Sequence, residues 1–296
     1  MDYKKILKSR EMRLKILKIL KFIPDEYMLK IQYRIKTGRK LNLKNPERFT
    51  EKIQWYKLNY RNKLMQQCVD KYEVRDYVES CGLSHILTKC YGIYTKVEDI
   101  NFSKLPKQFV MKKTNGGGGL NVIVCRDKES LDIESTKQIL KDWLKENNSY
   151  SGGREWAYDG VKSRIIIEEY LENEDDPEAG ISDYKFFCVN GNIVGLVVDV
   201  DRYTQHKRNF YDINWNYLDI SSDCPNYGDK IPKPDYFDNL VGVAEKLSEK
   251  FPFVRVDLYL IEDRVYFGEL TFYPWSGYVQ FNPDEFDYIL GGKIEL

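Results

Sequence analysis

Residues 254–272, VRVDLYLIEDRVYFGELTF, decide how the chain is read. Two runs alternate apolar and polar residues on either side of Glu262-Asp263-Arg264, which is the pattern of a β-hairpin. One face carries Val254, Val256, Leu258 and Leu260, answered by Tyr266, Leu270 and Phe272. The other carries Arg255, Asp257 and Tyr259, answered by Phe267, Glu269 and Thr271. Symmetric pairing about Asp263 sets Asp257 opposite Glu269. Directly opposed residues have Cβ atoms roughly 4.5–5.5 Å apart, where like charges destabilise. A divalent cation between two carboxylates reverses that sign, and Mg²⁺ is commonly held by one or two carboxylates plus substrate phosphates. Arg255 shares this face, with a guanidinium suited to phosphate or carboxylate. The same alternation also suits a solvated hairpin with scattered charges, so the rest of the chain has to decide.

Working outward, composition sets the bounds. The 296 residues suffice for two or three packed lobes, and 42% hydrophobic and 14% aromatic content argue for a folded protein. The formal net charge is zero, so no global field points to nucleic acid. No apolar run reaches the ~18 residues of a membrane-spanning helix. The N-terminus lacks the apolar core and cleavage site of a secretory signal. Six cysteines stand at 68, 81, 90, 125, 188 and 224 with no CxxC, and there are only two histidines. That argues against zinc and for free thiols in a reducing cytoplasm.

Upstream of the hairpin, Phe109-Val110-Met111-Lys112 reads as a strand. Thr114-Asn115 and the four glycines 116–119 follow it, and then the strand Asn121 to Cys125. Strand–glycine loop–strand is neither a P-loop nor the dinucleotide fingerprint, because both need a helix after the glycines. Four glycines let backbone N–H groups approach an anion, and Lys112 adds a point charge suited to phosphate. A flexible hairpin tip is the plainer alternative, but ordering four glycines costs entropy that a bare turn rarely needs. Residues 165–171 read as a buried strand, and the acidic stretch 172–178 as a connection between lobes. Residues 182–189 and 192–201 alternate around Asn190-Gly191, a hairpin signal. Lys185 lies inside the first of these strands, where an unpaired lysine is costly if buried.

The remaining segments are read in chain order. Residues 4–21 place Ile6, Leu7, Leu14, Leu17 and Leu20 at helical spacing, and residues 1–21 hold eight Lys/Arg against two acids. Such a helix either packs on the body with a basic outer face or lies on an anionic membrane. Residues 25–37 read as a helix stopped at Gly38, and Thr50 as the N-cap of the next. A single helical stretch is expected over 64–81, and others over 134–150 and 236–251. His206, Lys207 and Arg208 read as a cationic loop, residues 221–234 as a proline-containing loop, and the C-terminus as short.

Five motifs in order carry a resemblance. Phe109-Val110-Met111-Lys112 with its glycine loop comes first, then Ile167-Glu168-Glu169-Tyr170-Leu171 and Asp183-Tyr184-Lys185-Phe186-Phe187. Arg255-Val256-Asp257-Leu258-Tyr259 and Gly268-Glu269-Leu270-Thr271-Phe272-Tyr273-Pro274 complete the set. Together they resemble the TupA-like branch of the ATP-grasp superfamily, from cell-surface polymer biosynthesis, over roughly residues 45–292. The resemblance implies an α+β fold in which two lobes clasp ATP. The divisions are a basic helical N-terminal extension (1–44), a helical and small α/β region (45–106), a lobe with the glycine flap (107–175) and a lobe with the metal-binding hairpin (176–296). It implies that Lys112 and Lys185 bind nucleotide phosphates under a flap of Gly116, Gly117, Gly118 and Gly119. Glu168 and Leu171 meet the adenine edge, and Glu174 or Asp176 holds the ribose. Asp257 and Glu269 hold Mg²⁺, and Arg255 contacts the transferred phosphoryl group. Thr271 stands where many ATP-grasp enzymes have Asn, which leaves the number of metal ions open.

The implied chemistry is phosphorylation of a carboxylate by ATP, attack of an amine on the acyl phosphate, and amide formation. An amino acid joined to a uronic acid, or to another carboxylate of a capsule or cell-wall polymer, is the leading reading. Arg202, Lys207 and Arg208 are candidates for the acceptor side. A glycosyltransferase is the main rival, because Asp199-Val200-Asp201 fits the Asp-x-Asp pattern that holds a metal on a sugar nucleotide. A kinase on the same clasp and a nucleotide-binding module without turnover are the others. The expected location is cytoplasmic, with peripheral membrane contact through residues 4–21 as the alternative to a helix packed on the body.

Overall fold

The computed structural model describes residues 12, 16, 17, 19–119, 121–145, 152–173, 180–202 and 204–295. Glu174, Asp176 and most of the 4–21 segment therefore lie outside the described residues.

Helix α1, Asp25–Thr37, starts with Asp25 and Glu26 and ends with Arg34 and Lys36, which complements its dipole. Gly38 follows in the left-handed conformation. Helix α2 spans Phe49–Asn59. Its N-terminus is satisfied differently from the expectation that Thr50 caps it. Thr50 lies inside the first turn, where its N–H and hydroxyl donate to Asp287 at 3.0 and 2.8 Å. The Glu51 carboxylate accepts from the N–H groups of Glu47 and Arg48 at 3.1 and 3.3 Å. The single helix expected over 64–81 is two, α3 at Lys63–Cys68 and α4 at Val74–Ser80. Asp70 causes the break. Its carboxylate accepts from the N–H groups of Tyr72 and Glu73 at 2.9 and 3.0 Å, offering the backbone a turn in place of helix.

Strands β1 (Cys90–Tyr94), β2 (Phe109–Lys113), β3 (Val122–Cys125) and β4 (Ile165–Glu168) form an antiparallel sheet in the order β1-β4-β2-β3. Helix α5, Ile133–Lys145, seals one face with Leu140 and Trp143 against Phe109, Met111, Ile165 and Ile167. The other face carries Val110, Lys112 and Glu168 toward a cleft.

The second sheet has the order β10-β9-β5-β6-β7-β8. Its strands are β5 (Asp183–Val189), β6 (Asn192–Val200), β7 (Lys207–Tyr211), β8 (Tyr217–Leu218), β9 (Val254–Ile261) and β10 (Arg264–Thr271). Helix α6, Phe237–Ser248, packs Leu240, Ala244 and Leu247 into the main core with Phe186, Val198, Val256 and Leu258. Two elements depart from expectation. The 207–211 stretch is a strand, because the Arg208 charge is compensated within the sheet. The chain also ends in a further helix, α7, Glu285–Gly292, which supplies Asp287 to α2.

The hairpin of β9 and β10 pairs Asp257 with Glu269, by a route that differs from the simple one. The turn has two residues, since Ile261 pairs with Arg264, and this alone would offset the register by one. A bulge at Gly268 restores it. Between turn and bulge the faces exchange: Phe267, not Tyr266, pairs with Leu258 and enters the core, and Tyr266 pairs with Tyr259. Gly268 is required there, because a β-carbon would lie 2.7 Å from the Asp257 carbonyl oxygen.

Candidate functional site

The two sheets face each other across a cleft of about 1950 Å³. Small-molecule pockets are usually about 300–1,000 Å³, so the space admits a nucleotide and a second substrate.

On the four-stranded wall, Lys112 lies 3.0 Å from Glu168. The Glu168 carboxylate also accepts from Thr88 at 3.0 Å and Arg75 at 3.3 Å. Burial pushes Glu168 up, but Lys112, Thr88 and Arg75 outweigh it and hold the acid below its usual value. Gly117, Gly118 and Gly119 border the cleft with nothing within 4 Å of a would-be β-carbon, and the last two have φ of 66° and 70°. Lys71 anchors the base of this loop, its N–H donating to Thr114 O at 2.9 Å and its ammonium to Gly116 O. Leu171 also lines the cleft.

The six-stranded wall is a network of charges. Lys185 and Asp257 are register partners on β5 and β9, and Lys185 Nζ lies 3.1 Å from Asp257 and 3.7 Å from Asp199 and also meets Asp183. Arg255 grips Asp257 with two bonds of 2.7 and 2.6 Å and donates to Thr271 at 3.1 Å. Thr271 in turn donates to Glu269 at 3.0 Å. Burial raises the Asp257 acid despite Arg255 and Lys185. Burial also pushes Glu269 up, but Lys71, Arg255 and Lys185 outweigh it and hold it at about 2. The donor set on this wall is all oxygen, which suits a hard cation such as Mg²⁺. Two features leave oxygen donors for an ion. Glu269 keeps 43% of its side chain exposed, and Asp183 Oδ1 is buried with no hydrogen-bond partner.

The acceptor candidates divide. Arg202 reaches Asp183 at 2.7 Å, and Arg208 grips Asp199 at 2.6 and 3.2 Å and Asp223 at 2.5 Å; both line the cleft. Lys207 does not line it. Strand alternation turns Lys207 to the opposite face, where its ammonium lies 5.4 Å from the Tyr227 ring, and this corrects the expectation for it. The Asp199-Val200-Asp201 pattern is not assembled as a pair. Asp199 is committed to Arg208 and Lys185, whereas Asp201 has φ 53° and lies outside the cleft lining.

Several residues at the cleft and behind it gave no sequence signal. Lys57, at the end of α2, is fully buried and donates to the carbonyl and hydroxyl of Ser276, both at 2.9 Å. The Ser276 hydroxyl donates to Glu155 at 2.5 Å, and Glu155 borders the cleft. Burial draws the Lys57 ammonium down to about 7. Trp275, Ser276 and Gly277 have φ of 50°, 54° and 66°, a run of left-handed residues that persists only where its surroundings hold it. Gln54 supplies part of that hold, donating to the carbonyls of Ser276 and Gly277 at 3.0 and 2.8 Å. Partners more than two hundred residues apart leave no local pattern to read. Lys71 was legible as a lysine but not as the residue lying within electrostatic reach of Glu168 and Lys112 on one wall and Glu269 on the other.

A family model described as TupA-like ATPgrasp matches residues 51–295. No curated protein matches the chain. Among solved structures, the chain is similar to D-alanine–D-alanine ligase from Bacillus anthracis, at 18% identity over 69% of this chain and 56% of that one, TM-score 0.44. It is also similar to N5-carboxyaminoimidazole synthetase from Staphylococcus aureus complexed with ADP, at 12% identity over 71% and 46%, TM-score 0.45. A third is phosphoribosylamine–glycine ligase from Thermotoga maritima, at 15% identity over 71% and 48%, TM-score 0.43. The chain spans about half the length of these structures.

Proposed function

The chain belongs to the TupA-like ATP-grasp family, and from that premise we propose that it is an ATP- and Mg²⁺-dependent carboxylate–amine ligase acting on a cell-surface polysaccharide or its precursor. One observation carries the reading. The glycine loop and Lys112 on one sheet face Lys185, Arg255, Asp257 and Glu269 on the other across a single cleft.

In this reading the nucleotide phosphates lie between the N–H groups of residues 117–119, which border open space, and the ammonium groups of Lys112 and Lys185, with the base toward Glu168 and Leu171. Asp257 and Glu269 are the residues that would hold Mg²⁺, which when bound neutralises phosphate oxygens and polarises the transferred group. A carboxylate oxygen of the acceptor attacks the γ-phosphorus; its O–P bond forms as the bond to the ADP oxygen breaks. Arg255, fixed by its two bonds to Asp257, is placed to stabilise charge on the transferred phosphoryl group. An amine nitrogen then attacks the acyl carbon, and phosphate leaves as the amide forms. No protein nucleophile is needed. Cys125, the cysteine that borders the cleft among the described residues, has its thiol pushed up by burial. Arg202 and Arg208 mark the end of the cleft suited to an anionic acceptor such as a uronic acid, and the large volume suits a glycan.

Thermal melting with Mg·ATP beside Mg·UDP-sugars tests the nucleotide. A ligand at a hundredfold excess over its Kd stabilises the folded state by about 2.7 kcal/mol. A shift with ATP that is lost in Lys112→Ala supports the clasp, and ADP release dependent on a uronic acid and hydroxylamine supports the ligase. A shift with a UDP-sugar and none with ATP would overturn the reading.

A further inference from the structure

Charge is divided unevenly along this neutral chain. Residues 1–44 hold fourteen Lys/Arg and four Asp/Glu, whereas residues 45–296 hold thirty-two and forty-two. The N-terminal part is therefore +10 and the remainder −10. Exposed apolar side chains concentrate in the same place. Of the fourteen large ones exposed among the described residues, six lie between Met12 and Ile35.

Helix α1 arranges them. Met28, Leu29, Gln32 and Tyr33 are buried against the body, and Tyr27, Ile31 and Ile35 recur every fourth residue on the outer face. At ~100° per residue these three form one stripe. They are 62%, 47% and 49% exposed, and Phe22 just before the helix is 79% exposed. Lys30 and Arg34 flank the stripe, and the nearby Glu26 is paired with Lys30 at 2.5 Å. The segment is held in place from within, so the stripe is not needed for its attachment. Arg154 donates to the carbonyls of Leu20 and Ile23 at 2.9 Å each and to Asp25 at 2.5 Å. Lys21 and Lys36 of this segment line the rim of the cleft.

We propose that the outer face of α1 and the preceding turn dock on an anionic lipid bilayer, with Phe22, Tyr27, Ile31 and Ile35 entering the headgroup region and the surrounding Lys and Arg side chains meeting lipid phosphates. Apolar side chains within a basic field match such a surface. A soluble polyanion would use the charges and leave the apolar stripe in water. A second copy would set +10 against +10. The acidic remainder of the chain is repelled by the same bilayer, so the charge division also orients the molecule, with its cleft opening beside the membrane. This inference is independent of the chemistry proposed for the cleft.

Co-sedimentation of the full chain with vesicles tests it. Vesicles with about 30% phosphatidylglycerol in phosphatidylcholine should bind at least about tenfold more strongly than pure phosphatidylcholine. The difference should collapse between about 0.1 M and about 1 M NaCl, where the screening length falls from ~10 to ~3 Å. Ile31→Glu with Ile35→Glu should lower binding to the anionic vesicles by about tenfold or more, with melting temperature and Mg·ATP shift unchanged. Equal binding to both vesicle types, or binding that survives the double substitution, overturns the proposal. So does a vesicle-free dimer that the double substitution dissociates. A failed ATP-grasp reading would appear in the Mg·ATP shift instead, so the two failures are distinguishable.

Discussion

The four-stranded wall of the cleft meets its space mainly with backbone, and the six-stranded wall meets it with compensated buried charge. On the first, the glycines border open space and Lys112 is 31% exposed. On the second, Lys185, Arg255 and Arg208 are almost fully buried among Asp183, Asp199 and Asp257. A buried charge persists only with partners in place, so the second wall is ordered by its own electrostatics before any ligand arrives. The first wall has few such constraints and is suited to adjust over a ligand. The contrast predicts that similar substitutions in the two walls cost different amounts.

The largest difference should come from the two lysines. Lys185→Ala leaves Asp183 and Asp257 short of a cation and should cost about 3–5 kcal/mol in urea denaturation. Lys112→Ala should cost less, about 1–2 kcal/mol, because Lys112 is partly exposed and the buried Glu168 keeps Arg75 and Thr88. Both should abolish the Mg·ATP melting shift. Equal stability losses would break the comparison.

The glycines sharpen it. Gly268→Ala drives a methyl group against the Asp257 carbonyl and should cost about 1–3 kcal/mol, with loss of Mg²⁺-dependent turnover as the Asp257–Glu269 register shifts. Gly119→Ala meets open space and should cost only the left-handed backbone preference, about 1 kcal/mol. Measured stabilities in the reverse order would mean that the bulge is pliant.

Lys57 gives a pH test outside both walls. Its folded value, about 7, lies below the ordinary lysine value, so above pH 7 the unfolded chain binds the proton that the folded chain has shed. Stability therefore rises with pH in that window. Relative to Lys57→Met, the native chain should gain about 2 kcal/mol between pH 7 and pH 9, measured by denaturant titration at each pH. A flat difference would mean that Lys57 stays charged when buried.

The hairpin was legible because alternation has a period of two and survives in the residues themselves. The facing of Asp257 and Glu269 came out as expected, although a two-residue turn and a bulge produce it in place of a longer turn. The glycine loop was legible because strand signals flank it on both sides. Residues 207–211 form a strand where the sequence suggests a loop, for a physical reason: consecutive cations look like solvated loop until Asp199 and Asp223 are known to neutralise Arg208. The break at Asp70 was in principle readable, since Asp favours its own backbone turn, but apolar spacing on both sides hid it.

The sequence by itself determined the alternation of the strands and where the glycine loop falls between them, because these follow from local periodicity, and its five motifs in order carried the resemblance to ATP-grasp proteins. Only the tertiary structure decided which charges compensate one another, that Lys71 lies between the walls, and that Lys57 is buried beneath Ser276 and Glu155. Those outcomes depend on burial and on partners distant in sequence, and burial is what turns a side chain's charge from a solvated detail into a constraint that neighbours must satisfy.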